Sequence, residues 1–287
     1  MCPIFDNGVP THIKIFVAFK NNNKLQYKDF NLETETFGDW HYVQYNNADL
    51  TSEVIDTLVT NAGYTYSGID VSGFVRPETM YNSNKKDGYY YQIFTSGDRY
   101  GDYQVVFRSN DDWETCEFVT VFPNAIRYNA ILDYYNGTFY ILYRKSHPSG
   151  LSGDAGVYLT TTTDFKTYTE PVIIGSMDMR PDIFARDNYV YLVVGDKRNQ
   201  GDGFYRTNTH IFKGTGAVTS GYTKIVNVTD NRGTVNPRAR LFGDDIHFLL
   251  SNSPIRLDKE NGYFTPVSSS AQYQGKECEC YLRIRMS

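Results

Sequence analysis

Two carboxylates in a repeated sequence phrase have the residue types that acid–base chemistry requires. Glu78 ends the phrase Arg-Pro-Glu at 76–78, and Asp182 ends the phrase Arg-Pro-Asp at 180–182. Hydrolysis of a glycosidic bond uses two carboxyl groups about 5 to 9.5 Å apart that flank the bond. An arginine beside an acid can instead form a hydrogen-bonded ion pair, which lowers the pKa of the acid and makes it a poor proton donor. The pair is therefore a candidate for catalysis, for ligand binding or for structural ion pairs.

Arginines accompany every copy of this phrase. Guanidinium groups that converge on one axis could hold a carboxylate or a phosphate through paired hydrogen bonds. An anionic glycan is therefore a candidate ligand, and salt bridges between the repeats are an equally good explanation. The candidate ligand-binding residues are Arg76, Arg127, Tyr128, Asn129, Arg180, Arg238 and Arg240.

The phrase recurs along the chain with nearly constant spacing. Its copies begin at Arg76, Arg127, Arg180 and Asn236, which is roughly every 50 residues, the repeat length of some propeller blades. Each copy precedes a segment rich in Tyr, Ile, Leu and Val, which is typical of a β-strand. The pattern predicts an all-β fold: a five-bladed β-propeller whose blades each have about four antiparallel strands around a central axis.

The repeats divide the chain without any low-complexity linker, so we predict a single domain. An insertion between the first two blades is predicted to contain either a short helix at 50–59, with Asp49 or Thr51 as its N-cap, or a loop that crosses the domain. Such an insertion often shapes the entrance to a central site. The predicted domain covers 1–287, with blades at about 1–50, 73–123, 124–175, 176–230 and 231–287 and the insertion at 51–72.

Two turns share a Ser/Thr-x-Asp pattern with an aromatic residue shortly after. They lie at 109–113 and 162–165. A short polar side chain that begins a tight turn leaves the aromatic ring free to fold back onto the sheet. We expect the same sheets to use many of the 25 tyrosines, such as 89–91 and 134–135, for packing between blades, although stacking on sugars is the alternative.

The composition excludes several classes of function. A net charge of −5 argues against a general nucleic-acid binder, which would carry a basic face. No apolar run approaches the ~18–20 residues of a membrane span. The five histidines and four cysteines lack the spacing of a metal site, so no cofactor is expected. A disulfide from Cys2 to the C-terminal strand is one expectation that the sequence leaves open.

The repeat phrase and the Ser-x-Asp-aromatic turns resemble the five-bladed propeller glycosidases of the arabinanase/xylosidase-like and invertase-like families, and the turns are also similar to those of sialidase-like propellers. The resemblance is clearest over 73–287. It implies an axial pocket in which the residue after each proline faces the substrate. The positions that it implies are Ile4 or Pro3 in the first blade, Glu78, Asn129, Asp182 and Arg238.

The catalytic pattern of these families is incomplete in this chain. The arabinanase-like enzymes use a carboxylate base in the first blade, an orienting Asp in the third and an acidic Glu in the fourth. Ile4, Asn129 and Asp182 stand at those positions here. The invertase-like nucleophile motif Asn-Asp-Pro-Asn is not matched by Phe-Asp-Asn-Gly at 5–8.

We therefore expect a glycan-recognising propeller, such as a receptor-binding domain of a phage tail or another virion protein, with an extracellular or virion-associated location. The absence of a signal peptide at the start of the sequence fits that expectation. The expected partner is a cell-surface, plant or bacterial polysaccharide, without nucleic acid or membrane insertion and with oligomerisation left open. The alternatives are an atypical glycoside hydrolase that uses Glu78 and Asp182, and a structural interaction propeller.

Overall fold

The computed structural model describes most of the chain in segments separated by gaps. Within them the protein is mostly β-strand with one helix, so the prediction of a mainly β fold is confirmed. The described residues are 2–6, 9–18, 24–64, 75–77, 84–96, 103–122, 130–145, 156–175, 182–186, 188–197, 207–215, 222–227, 235–242, 245–251, 255–258, 263–266 and 280–285.

The first sheet is antiparallel and precedes the helix. Its order is β1-β2-β3-β4, and a fifth short strand, β5, also pairs with β3. Its strands are β1 (Cys2–Asp6), β2 (Val9–Ala18), β3 (Leu25–Asn31), β4 (Thr36–Phe37) and β5 (His41–Tyr42). A separate two-stranded ribbon, β6 (Gln44–Tyr45) and β7 (Ala48–Asp49), leads into the helix α1 (Ser52–Asn61).

Three four-stranded antiparallel sheets follow, each built from a consecutive stretch of the chain. The second sheet contains β8 (Val75–Pro77), β9 (Tyr90–Ser96), β10 (Tyr103–Ser109) and β11 (Glu117–Phe122). The third contains β12 (Ala130–Tyr135), β13 (Thr138–Lys145), β14 (Gly156–Thr162) and β15 (Val172–Gly175). The fourth contains β16 (Asp182–Arg186), β17 (Tyr189–Lys197), β18 (Thr207–Gly214) and β19 (Thr223–Asn227).

The last sheet differs from these three because its strands are not all consecutive in the chain. Its order is β20-β21-β24, and a two-stranded hairpin, β22-β23, lies between the second and third of these strands in sequence. The strands are β20 (Val235–Phe242), β21 (Asp245–Ser251), β22 (Ile255–Asp258), β23 (Tyr263–Pro266) and β24 (Cys280–Arg285).

The described core lies between consecutive sheets, which pack face to face. Because strand side chains alternate between the two faces, Ile131 and Leu132 of β12 enter different clusters. Ile131 packs with Ile183 and Leu192 of the fourth sheet, whereas Leu132 packs in the cluster that contains Ile93 of the second. Each central sheet therefore has apolar residues on both faces, as stacked blades require.

The insertion before β8 contains a helix, so the helical alternative is confirmed. Thr51 is the N-cap and its side chain accepts a hydrogen bond from the Val54 amide. Ile55 and Val59 are fully buried and join the cluster between the first two sheets. The helix therefore fills the space between these sheets with its apolar face.

The two predicted turns adopt the expected conformation. In the first, the Ser109 hydroxyl accepts the Trp113 amide at 2.9 Å, and the Asp111 carboxylate accepts the Thr115 hydroxyl at 2.6 Å. Trp113 takes the left-handed conformation, with φ +69°, and its ring is fully buried. In the second, Thr162 accepts the Phe165 amide at 2.9 Å, and Phe165 is also left-handed and buried. These turns thus place an aromatic ring in the core, at the cost of a strained φ.

The prediction that tyrosines pack between sheets is confirmed for Tyr91 and Tyr135. The Tyr91 ring lies 4.7 Å from Phe139 and stacks on Phe165 of the next sheet. Tyr135 accepts the Asn188 amide with its hydroxyl at 2.6 Å, which connects the third and fourth sheets. These rings therefore work mainly as inter-sheet contacts.

Candidate functional site

The copies of the repeat phrase lie on or directly before the first strands of sheets two to five. β8 contains Arg76, β12 begins directly after Asn129, β16 begins at Asp182, and β20 contains Arg238 and Arg240. Strands of consecutive sheets contact one another in space. These contacts join β2 with β8, β9 with β12, β12 with β16, and β16 with β20. The topology therefore brings the copies at β12, β16 and β20 onto neighbouring strands, and β8 lies one strand away from β12, beside β9.

The structure describes only part of the predicted site. The side chain of Asp182 is described, whereas Arg76, Arg238 and Arg240 are described only as strand residues. The remaining candidates lie outside the described residues: Glu78, Arg127, Tyr128, Asn129 and Arg180. The predicted set thus remains a prediction. Among its members, the structure describes side-chain contacts for Asp182.

Asp182 is completely buried at the start of β16. One carboxylate oxygen accepts a hydrogen bond from the Ile183 amide at 3.0 Å. Ile183 and Ala185 pack into the cluster with the third sheet, so alternation puts Asp182 on the opposite face of the fourth sheet. The neighbour of β16 away from the third sheet is β20, the strand of Arg238 and Arg240. An isolated buried charge is strongly unfavourable. A carboxylate buried on this face therefore suits hydrogen bonding or ion pairing with a neighbouring group.

Ile4, one of the two residues predicted for the first-blade position, packs against the core. Ile4 of β1 is partly buried and packs against the cluster between the first two sheets. Its backbone carbonyl accepts the Thr11 hydroxyl across the β1–β2 pair at 3.5 Å. A residue that supplies hydrophobic packing here cannot act as a proton acceptor.

Sequence reasoning missed the buried carboxylate Asp133 in the middle of β12. Its Oδ2 accepts the Ala185 amide of the neighbouring sheet at 2.7 Å, and its Oδ1 accepts the Tyr134 amide at 2.8 Å. Asn84, which precedes β9, donates from its side-chain amide to Asp133 Oδ1 at 3.4 Å and to the Ala185 carbonyl at 3.3 Å. The sequence feature that could have revealed this carboxylate is a single acidic residue inside the otherwise apolar and aromatic segment Ala-Ile-Leu-Asp-Tyr-Tyr.

This network fixes the strand that carries Asp182. Asp133 and Asn84 together bind both backbone groups of Ala185. The network joins the segment before β9 to residues of the third and fourth sheets. Ala185 is three residues from Asp182 on a strand whose rise is about 3.3 Å per residue, which puts the two backbones about 10 Å apart. The arrangement therefore holds the inner strands in register near the candidate site, with a carboxylate that accepts from three donors.

Within the described ranges, no group of three or more His, Cys, Asp or Glu side chains could hold a metal ion. No helix among those residues is long and apolar enough to cross a membrane. Cys116 is buried with a free thiol, and burial raises its pKa to about 12. The side chains of Cys2 and Cys280 are not described and Cys278 lies outside the described residues, so the disulfide expectation stays a prediction.

Comparison with known proteins identifies the fold. No protein-family model matches the chain, and no curated protein matches it in sequence. The structure is similar to an exo-1,5-α-L-arabinanase from a bovine ruminal metagenomic library, with a TM-score of 0.53 and 14% identity over 92% of this chain and 94% of that one. It is also similar to an exo-β-1,3-galactanase from Clostridium thermocellum, with a TM-score of 0.53 and 10% identity over 98% of this chain and 58% of that one.

The class that these similarities define is the β-propeller fold of glycoside hydrolases. The resemblance predicted from the repeat phrase and the turns is confirmed at the level of the fold. At 10 to 14% identity, it carries no activity over to this chain.

Proposed function

We propose that this protein is a five-bladed propeller that binds a glycan at its axis without cleaving it. The observation that carries the proposal is Ile4. The resemblance to the hydrolase families places Ile4 or Pro3 at the first-blade position where those families use a carboxylate, and neither residue is an acid. Ile4 packs against a core cluster. A binding role needs no base there, whereas hydrolysis with a two-carboxyl mechanism does.

An anionic glycan is the proposed ligand class. β20 carries Arg238 and Arg240 at alternate positions, so both belong to one face of the strand, and β16 with the buried Asp182 lies beside it. Arginine forks match the geometry of carboxylates and phosphates, which supports a sugar acid or a polyol-phosphate polymer.

The biological role proposed for this binding is recognition of a cell-surface polysaccharide by an extracellular or virion-associated protein, such as a phage tail receptor-binding domain. A domain that holds a glycan and leaves it intact is suited to adhesion. The support for this role is the similarity in fold to two polysaccharide-degrading enzymes together with the incomplete catalytic set.

A second candidate function is an atypical glycoside hydrolase with Glu78 and Asp182 as the carboxylate pair. The similarity to two exo-acting hydrolases favours it. The burial of Asp182 disfavours it, because a general acid must reach the glycosidic oxygen within hydrogen-bond distance.

A glycan array and a reducing-sugar assay separate the two candidates. The wild type, Glu78→Gln and Asp182→Asn would be measured in both, with Glu117→Gln as the control, since Glu117 is an exposed carboxylate paired with Arg108. We expect glycan binding that persists in the carboxylate variants and no release of sugar from any array ligand. Sugar release by the wild type that either variant abolishes would overturn the binding proposal in favour of hydrolysis.

The arginines provide the complementary test. Arg238→Ala and Arg240→Ala should each weaken binding of anionic glycans at least about tenfold, because a charge-assisted hydrogen bond contributes about 1.5–3 kcal/mol. Arg108→Ala is the matched control, since Arg108 forms an exposed ion pair with Glu117 away from β20. Equal binding by all three variants would remove the anionic ligand class, and no binding by the wild type would favour a structural interaction propeller.

A further inference from the structure

The outer edge of the first sheet carries three exposed aromatic rings in one short segment. Phe37 is 56% exposed, Trp40 45% and Tyr42 37%, whereas most described aromatic side chains of the sheets are buried or half-buried. Phe37 belongs to β4 and Tyr42 to β5, the two short strands that pair with β3. We call Phe37, Trp40 and Tyr42 the aromatic edge.

The Phe37 and Tyr42 rings lie on one face of the sheet. The Trp40 ring contacts the same Lys28 ammonium as the Phe37 ring. Phe37 pairs with Phe30, and Tyr42 pairs with Gln26 on the same strand. Directly opposite residues of an antiparallel pair share a face, and Gln26 and Phe30 share theirs because they are four positions apart. At about 3.3 Å per residue, the outer two rings are separated by about 13 Å along β3, which is the length of a short oligosaccharide.

Two lysines, Lys28 of β3 and Lys24 directly before β3, hold these rings in place. The Lys28 ammonium lies 4.3 Å from the Phe37 ring centre and 4.9 Å from the Trp40 ring centre, so one cation links both rings. Lys24 lies 4.8 Å from the Tyr42 ring centre and is itself bound by Asp49 at 2.7 Å. Cation–π contacts of this kind orient the rings before any ligand arrives, which lowers the entropy cost of binding.

Exposed carboxylates border the aromatic edge. Glu33, Glu35 and Asp39 are all exposed and lie in the turn before β4 or directly after it. An ionised carboxylate accepts hydrogen bonds from hydroxyl groups and repels anions. The apolar face of a sugar ring can lie against an aromatic ring while its hydroxyls donate to such carboxylates. This combination suits a neutral glycan.

The exposed area is too small for a protein partner. An aromatic side chain has roughly 150–250 Å² of surface, so the exposed parts of the three rings amount to roughly 300 Å². A specific protein–protein interface needs about 800 Å² on each partner. The lysines and carboxylates that surround the rings also prevent a larger continuous apolar surface. A ligand of a few sugar units matches the area.

We propose that the aromatic edge is a second glycan-binding site, which takes a neutral oligosaccharide segment by stacking and is separate from the axial site. The inference rests on the proposed glycan-binding function and adds a neutral ligand class at a defined surface. Two sites on one polymer raise its apparent affinity through effective concentration. The axial site and the aromatic edge would then bind different parts of one polysaccharide.

Affinity gel electrophoresis in soluble neutral polysaccharides, debranched arabinan and β-1,3-galactan, tests this site. The variants are Trp40→Ala and the double variant Phe37→Ala/Trp40→Ala. Two controls match them: Tyr189→Ala, whose ring is also 37% exposed and lies beside Lys213 at 3.7 Å, and Ile173→Ala, which is 57% exposed. All four positions are at the surface, so thermal melts should remain close to that of the wild type.

We expect the double variant to raise the dissociation constant for a neutral polysaccharide at least about tenfold, which corresponds to ~1.4 kcal/mol. The two controls should leave it within about twofold. Equal retardation of the wild type and the double variant would overturn the second site and leave the axial proposal intact. If neutral polysaccharides do not retard the wild type, the second site is overturned. If the wild type also fails to bind the anionic array ligands, both proposals are overturned. A change of molecular mass by light scattering in the double variant would instead identify the aromatic edge as a contact between copies of this chain.

Discussion

Replacement of Asp133 by alanine should show how strongly one carboxylate couples neighbouring sheets. The side chain is 5% exposed and accepts the amides of Ala185 at 2.7 Å and Tyr134 at 2.8 Å, with Asn84 as a weaker donor at 3.4 Å. In the alanine variant the Ala185 amide loses its charged acceptor in a buried position. An unsatisfied buried donor costs about 1–3 kcal/mol, and a hydrogen bond to a charged group contributes about 1.5–3 kcal/mol.

The two backbone donors together give a destabilisation of about 3–4 kcal/mol for Asp133→Ala. Urea denaturation followed by tryptophan fluorescence would measure it as a lower midpoint with an unchanged slope. Hydrogen exchange adds a local readout, since the Ala185 amide should lose protection more than amides of β13. The control is Asp39→Ala, which removes an exposed carboxylate. A destabilisation below about 0.5 kcal/mol, equal to the control, would refute the coupling role.

Three further predictions concern acid stability, packing and thiol reactivity. Burial pushes the pKa of Asp111 upward, but hydrogen bonds from the Thr115 side chain and backbone hold the pKa below its usual range. The stability that this carboxylate contributes is present above the unfolded pKa of about 3.9 and is lost as the pH falls through the lower folded pKa. The Asp111→Asn variant should therefore show a smaller difference in unfolding free energy between pH 6 and pH 2.5 than the wild type. Gly214→Ala should destabilise the fold by about 1–3 kcal/mol in urea, because its Cβ would lie 2.8 Å from the Tyr222 ring. Cys116, with a pKa of about 12, should have about one thiolate in ten thousand at pH 8, so iodoacetamide should label it only in urea, as peptide mass spectrometry would show.

The sequence predicted the fold well because its signals repeat. The spacing of the Arg-Pro phrase and the Ser-x-Asp turns depend on local conformation, and the Ser109 and Thr162 turns form the hydrogen bonds that such residues favour. The sequence leaves the helix after Thr51 as one of two alternatives, because a single short amphipathic segment has no repeat to support it. Its burial between the first two sheets decided the outcome.

The sequence predicted the site less well because function here depends on contacts between sheets. Asp133 is a single acid in an apolar strand, and only the side-by-side packing of β12 and β16 shows that it binds the Ala185 amide. The aromatic edge was not predicted either, since exposure of Phe37 and Trp40 depends on where the first sheet ends. Residues that lie far apart in sequence or at a sheet edge carry no local pattern that marks them.

Ile4 provides a direct experimental test of the proposal that the first-blade position of this chain is a packing site. If this position is a packing site, Ile4→Asp should destabilise the protein by about 2 kcal/mol, because a charged group would replace an aliphatic side chain packed against the cluster between the first two sheets. Ile4→Val keeps the apolar contact and should cost about 0.5–1.5 kcal/mol at most. Urea denaturation measures both variants, and the reducing-sugar assay on arabinan checks for gained activity. An Ile4→Asp variant as stable as the wild type would place this side chain outside the core, and sugar release by it would show that one missing carboxylate separates this protein from a hydrolase.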